Sequence, residues 1–186
     1  MLAAVPGPGL VADEHGWVAA VTGIPFVERV AVPRADRPVA VQGLGLCVPE
    51  PVPGGWLLRS GPAGASAPLH LTLDLDGRPP RATVQGTNRW VHPLSTRHAE
   101  VLLLLAHNRD GLDAAALSAA LYGHSGSLVT VRAEVSRLRR TLGGLLLARP
   151  YRIAPEVRVE LPELTGTTFV RKSSAPGVRA LAKQFR

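Results

Sequence analysis

Hydrophobic positions along the chain change their period near Ser95. Before it they come in short runs or alternate with polar residues, and after it they recur every three to four residues. Between Gly9 and Arg59 the apolar runs are cut by Pro and Gly. Leu10-Val-Ala-Asp and Gly16-Trp-Val-Ala-Ala-Val flank Glu14-His15 and predict a hairpin. Further short strands are expected at residues 29–32, 38–41, 45–48 and 56–59, separated by turn signals such as Pro33-Arg-Ala-Asp and Pro53-Gly-Gly. No helix is expected there, and a small antiparallel module, 1–60, is the natural reading, a remnant or the tail end of a larger domain. Residues 61–68, rich in Gly, Ala and Pro, cannot build a core and read as a linker. His70-Leu-Thr-Leu-Asp-Leu then alternates strictly, Gly77-Arg-Pro-Pro is a turn, and Arg81-Ala-Thr-Val and Arg89-Trp-Val complete a three-stranded block.

Ser95 is placed to cap a first helix whose apolar residues Ala99, Leu102, Leu103 and Ala106 share one face, with an end near Asn108. Asp113 caps a short second helix carrying Leu117 and Leu121, stopped by Gly123. After the turn Gly123-His-Ser-Gly, Ser127 opens a longer helix that runs to Leu142 and is closed by Gly143-Gly144. The following Leu145-Leu-Leu-Ala-Arg-Pro-Tyr-Arg-Ile reads as a hairpin, and an amphipathic piece from Pro176 as a short helix. The fold class is therefore α+β: a Pro/Gly-rich antiparallel β module, then a winged helix-turn-helix spanning 69–155, then an extension, 156–186.

Charge separates the two halves. Residues 1–94 hold seven arginines against seven acids, whereas residues 95–186 hold fourteen basic and seven acidic groups, so the whole net charge of +7 lies in the second half. A basic module beside a neutral one points to a polyanionic partner. A single cysteine, Cys47, excludes an intrachain disulfide and a cysteine-rich zinc site. No run of eighteen apolar residues exists, and the first ten residues lack the basic start of a secretory signal, so no membrane contact and a cytoplasmic location are expected.

The third helix concentrates the chemistry. At 100° per residue, Val131, Val135, Leu138 and Leu142 fall within about 60° of one another and form the buried stripe. Val129, Ala133, Ser136, Arg137 and Arg140 point the other way, with Arg132 and Arg139 at the flank, and this outward face contains no acid. An arginine can grip guanine O6 and N7 with two hydrogen bonds, and the major groove admits one helix. Short capped helix, tight turn, longer basic helix and hairpin is the order of a winged helix-turn-helix.

The stretch Val129-Thr-Val-Arg-Ala-Glu-Val-Ser-Arg-Leu-Arg-Arg-Thr-Leu-Gly resembles the recognition helix of the OmpR/PhoB-type winged-helix family. Leu94-Ser-Thr-Arg resembles that family's entry to the first helix, Leu121-Tyr-Gly its second-helix end, and Tyr151-Arg-Ile its last wing strand. The resemblance covers residues 69–153 and includes the strands that this family places before its first helix. Gly16-Trp-Val and Gly43-Leu-Gly-Leu-Cys-Val-Pro-Glu-Pro-Val-Pro-Gly-Gly-Trp-Leu resemble, more narrowly, actinobacterial helix-turn-helix regulators that carry a GAF sensor domain upstream. No GAF-sized region precedes the match, which implies a short member or a fragment.

The resemblance implies a sequence-specific regulator of transcription on double-stranded DNA, with base or groove contacts from Thr130, Arg132, Ala133 and Arg137. It implies backbone contacts from Arg139 or Arg140 and wing contacts from Arg149 or Arg152. A homodimer on DNA, and RNA polymerase or a signal-sensing protein as partner, are compatible with it. Two positions depart from the family pattern: Arg132 stands where an acid is common, and Arg149-Pro-Tyr stands where a glycine-containing turn is usual. The alternative is a protein-interaction module that uses the same surface on the transcription machinery.

Other motifs carry less. Gly123-His-Ser-Gly-Ser lacks the spacing and the preceding strand of a nucleophile elbow and reads as a turn. Gly43-Leu-Gly-Leu-Cys lacks the third glycine and the helix of a dinucleotide loop. The six histidines show no metal-ligand spacing, and His98 fits the N3 position of a cap. Cys47 reads as a buried small hydrophobe, and Trp17 and Trp56 as core. No enzyme constellation, metal or cofactor is expected.

Overall fold

The computed structural model of the chain describes residues 7–35, 37–41, 44–59, 69–85, 89–164 and 167–184. It divides into two compact units, Met1–Ala67 with Leu142–Leu145, and Pro68–Thr141 with Leu146–Arg186. The expected linker, 61–68, lies outside the described residues.

In the first unit, β1 (Gly9–Ala12), β2 (Val18–Thr22), β5 (Glu50–Val52) and β6 (Gly55–Arg59) form an antiparallel sheet in the order β2-β1-β6-β5. The Glu14-His15 hairpin between β1 and β2 is present. Its turn is held by the Asp13 carboxylate, which accepts the N–H groups of His15 at 2.8 Å and Trp17 at 2.9 Å. Desolvation acts to raise the Asp13 pKa, but these donors outweigh it and hold the carboxyl below its usual value. Gly16 takes φ +86°, and a Cβ there would lie 2.4 Å from the Val30 carbonyl oxygen, so the turn requires glycine.

A separate ribbon pairs β3 (Val39–Val41) with β4 (Gly45–Cys47). Leu10, Ala12, Val30, Val39, Val41, Leu44, Cys47 and Leu58 form the core. Burial pushes the Cys47 thiol up to about 12, in keeping with a packing role.

Three expectations are corrected in this unit. Residues 29–32 form no strand; Arg29 makes only an isolated bridge to Trp17. Trp17 is not core: it is 47% exposed, with the Arg29 guanidinium carbon 4.9 Å from its ring centroid, so a cation–π contact takes the place of burial. Trp56 is half-buried. The strand β5 was masked in the sequence by Pro51, which is tolerated because β5 is the sheet edge.

In the second unit, β7 (His70–Asp74), β8 (Arg81–Gln85) and β9 (Arg89–Pro93) form the expected antiparallel block. A fourth strand, β12 (Arg158–Glu160), adds to β7 in parallel. Alternation along β7 places Leu71 and Leu73 inward and Thr72 and Asp74 outward.

Helices α1 (Thr96–His107) and α2 (Ala114–Tyr122) start and stop where the sequence indicates. Ser95 Oγ accepts the His98 N–H at 3.1 Å, the Asp113 carboxylate accepts the Ala116 N–H at 2.7 Å, and Gly123 closes α2 at φ +81°. α1 exceeds its expected one-sided pattern, since every residue from Ala99 to Ala106 is buried. It is the centre of this unit's core.

The segment 156–186 supplies β12, α4 (Thr168–Lys172) and α5 (Pro176–Gln184) to the same unit, and α5 packs on α1 and α2. Gly177 allows that approach: a Cβ there would stand 2.9 Å from the Ala120 Cβ and 3.0 Å from its carbonyl oxygen. Among the described residues no helix is long and apolar enough to cross a membrane.

Candidate nucleic-acid interface

The candidate surface is built on α3 (Leu128–Leu142) and on the hairpin of β10 (Leu146–Leu147) and β11 (Arg152–Ile153). A buried serine shapes the turn into α3. Ser118 Oγ on α2 donates to the His124 carbonyl at 2.8 Å and accepts the Ser127 N–H at 3.0 Å, fixing both ends of the four-residue turn. Leu117 and Leu121 on α2 and Val131, Val135, Leu138 and Leu142 on α3 are all buried, so the α3 stripe lies where its period puts it.

The hairpin is positioned by two further elements. Leu112, between α1 and α2, exchanges both backbone hydrogen bonds with Tyr151 at 2.9 Å. Arg139 Nε donates to the Leu146 carbonyl at 3.1 Å, joining α3 to the first hairpin strand. Arg109 donates to the carbonyls of Ala154 and Val157 and holds the chain leaving β11. At the hairpin turn Arg149 takes φ +68°, the left-handed conformation that a glycine would adopt at little cost.

Of the eight site residues expected from sequence, Thr130, Arg132, Arg137, Arg139, Arg140 and Arg149 are exposed, and Ala133 and Arg152 are half-buried. Arg132, Ser136 and Arg139 of α3 share an open cleft of about 790 Å³ with Arg149, Pro150 and Tyr151 of the hairpin and Asp113 at the α2 entry. The structure thus brings Arg132, Arg139 and Arg149 to one concavity, and leaves Thr130, Arg137 and Arg140 on α3 outside its lining. Arg132, Arg140, Arg149 and Arg152 make no ion pair among the described residues.

Two findings alter the sequence picture of this face. Glu134, adjacent to the outward residues, reaches Arg137: its Oε1 lies 2.6 Å from Arg137 Nη1. The face is therefore not free of acid. A helical wheel registers the Cα direction, whereas a glutamate and an arginine three residues apart can meet across the surface. The second carboxylate oxygen of Glu134 stands 3.1 Å from Nε2 of His98 on α1, close enough to pair but without hydrogen-bond geometry. His98 occupies the N3 position expected for it, and its ring also meets α3.

Glu100 gives no local sequence signal of its role. It is 2% exposed on α1, 2.7 Å from Arg97 Nη1, and accepts the Ser173 hydroxyl at 2.5 Å. Arg97 also covers the Tyr122 ring at 4.8 Å. The cluster ties α1, α2 and the α4–α5 turn together and lies away from the cleft residues in sequence and in its contacts. Among the described residues no group of three or more His, Cys, Asp or Glu is placed to hold a metal ion.

No family model matches the chain, and no solved structure matches it. Over 141 residues, 67% of the chain, it is 41% identical to an uncharacterized 47.3 kDa protein in the thcA 5' region of Rhodococcus erythropolis. The match covers 31% of that protein, so the chain spans less than a third of its relative's length.

Proposed function

We propose that the chain is a sequence-specific regulator of transcription that binds double-stranded DNA with α3 in the major groove. The observation that carries this reading is the division of α3 into a buried apolar stripe and an exposed side bearing Arg132, Arg137, Arg139 and Arg140. A guanidinium on such a helix can meet base edges or phosphates, according to its position along the groove. The order α1, α2, tight turn, α3 and hairpin supports a winged helix-turn-helix, as does the resemblance to OmpR/PhoB-type domains. On this reading Thr130, Arg132, Ala133 and Arg137 face the groove, Arg140 meets a flanking phosphate, and Arg149 and Arg152 bring the hairpin to the backbone. Arg139 is already committed by one donor to Leu146 and combines a bracing role with its charge.

The second reading, a protein partner on the same surface, is favoured by Val129, which is 78% exposed at the start of α3. Selection from a random duplex library with the purified chain separates the two. Enrichment of one motif, weakened steeply by salt, is the expected result; no enrichment at low salt counts against DNA as the target.

A further inference from the structure

Resting on the DNA-binding reading, the geometry points to Glu134 as the residue that sets sequence preference: it holds the Arg137 guanidinium in one orientation and withholds its charge from phosphates. The two side chains are unequally exposed. The Glu134 side chain is 17% exposed and the Arg137 side chain 54%, so a largely enclosed carboxylate grips a guanidinium that projects outward.

α3 also places Glu134 against α1, its Oε2 3.1 Å from the buried His98 Nε2 but without hydrogen-bond geometry. The carboxylate thus lies between an α1 side chain and Arg137, in a more enclosed position than the arginine it pairs with. A guanidinium offers five N–H donors in a rigid fork. With one terminal nitrogen engaged by Glu134, the remaining donors are aimed as a planar group, which suits a base edge with two acceptors better than a single phosphate oxygen. Pairing also cancels the long-range attraction of Arg137 for backbone phosphates, while Arg132 and Arg140 keep theirs. The cost of ordering a long side chain is met before DNA arrives, which is the general advantage of a positioned contact.

The experiment measures binding of the full chain, and of Glu134→Gln and Arg137→Lys, to its selected duplex and to a random-sequence duplex across a salt series. Glu134→Gln should lower the ratio of selected to random affinity about tenfold. It should also steepen the salt slope on random duplex by about one unit, because the released arginine reaches a phosphate. Arg137→Lys keeps the charge and loses the fork, so it should show the same loss of preference, and equal unfolding midpoints of the parent and Glu134→Gln exclude a folding defect. Unchanged preference in Glu134→Gln, whatever Arg137→Lys shows, or an equal weakening on all sequences with the parent's slope, overturns the role of Glu134. A parent chain that binds neither duplex overturns the DNA-binding reading itself and is recognised before any variant is compared.

Discussion

Helices α1 and α3 are similar in length, 12 and 15 residues, yet they use their sequences in opposite ways. α1 buries eight consecutive residues, including one carboxylate, and presents little to solvent. α3 buries Val131, Val135, Leu138 and Leu142 and leaves its arginines outside. The first helix holds the unit together and the second displays chemistry on it. Substitutions in α1 should therefore change stability, whereas those on the outward side of α3 should change binding alone.

The largest effect should come from Leu103→Ala, at a fully buried position in the middle of α1. Loss of about 2–5 kcal/mol is expected, from transfer and cavity terms together, as measured by urea unfolding. A loss below about 1 kcal/mol would show that α1 is not the centre of the core. Next in size is Glu100→Ala, which removes the acceptor of Ser173 and the partner of Arg97. Because Arg97 keeps partial access to water, about 1–3 kcal/mol is expected rather than the full penalty of an isolated buried charge. The same variant should leave DNA affinity, measured under folding conditions, within about twofold of the parent.

Arg149→Gly should move stability and binding in opposite directions. The left-handed backbone at this position favours glycine, offset in part by the greater freedom of glycine in the unfolded chain, so stability should rise by up to about 1 kcal/mol. DNA affinity should fall at the same time, because a cation at the rim of the cleft is lost. A change of both in the same direction would contradict a split between scaffold and contact. The smallest effect is expected for Val129→Ala, whose exposed side chain should contribute within about 0.5 kcal/mol of stability by thermal unfolding.

The sequence was most readable where one residue has one local job. Ser95, Asp113 and Gly123 mark helix ends because their caps are made within three or four residues, and the 3.6-residue period of α3 survives because only one side of it is covered. Legibility failed where the decisive partner is distant. β12 joins β7 across most of the second unit, and no local pattern distinguishes such a short strand from a tail. Glu100 and Ser173 are 73 positions apart, and neither residue type signals a buried pair on its own. The size and apolarity of Trp17 suggest a core position, whereas the Arg29 guanidinium covers one ring face at the surface. At the candidate site the arginines were visible from spacing alone. The restraint that Glu134 places on Arg137 needed the length and direction of both side chains.

Whether the exposed arginines of α3 contact DNA or merely solvate a helix is decided by the salt dependence of duplex binding in the parent and in Arg140→Ala. Arg140 is exposed and makes no ion pair among the described residues, so its removal should not disturb the fold. If Arg140 meets a phosphate, the slope of log affinity against log salt becomes shallower by about 0.9 in the variant, with an unchanged unfolding midpoint. A parental slope and affinity in Arg140→Ala would contradict that contact.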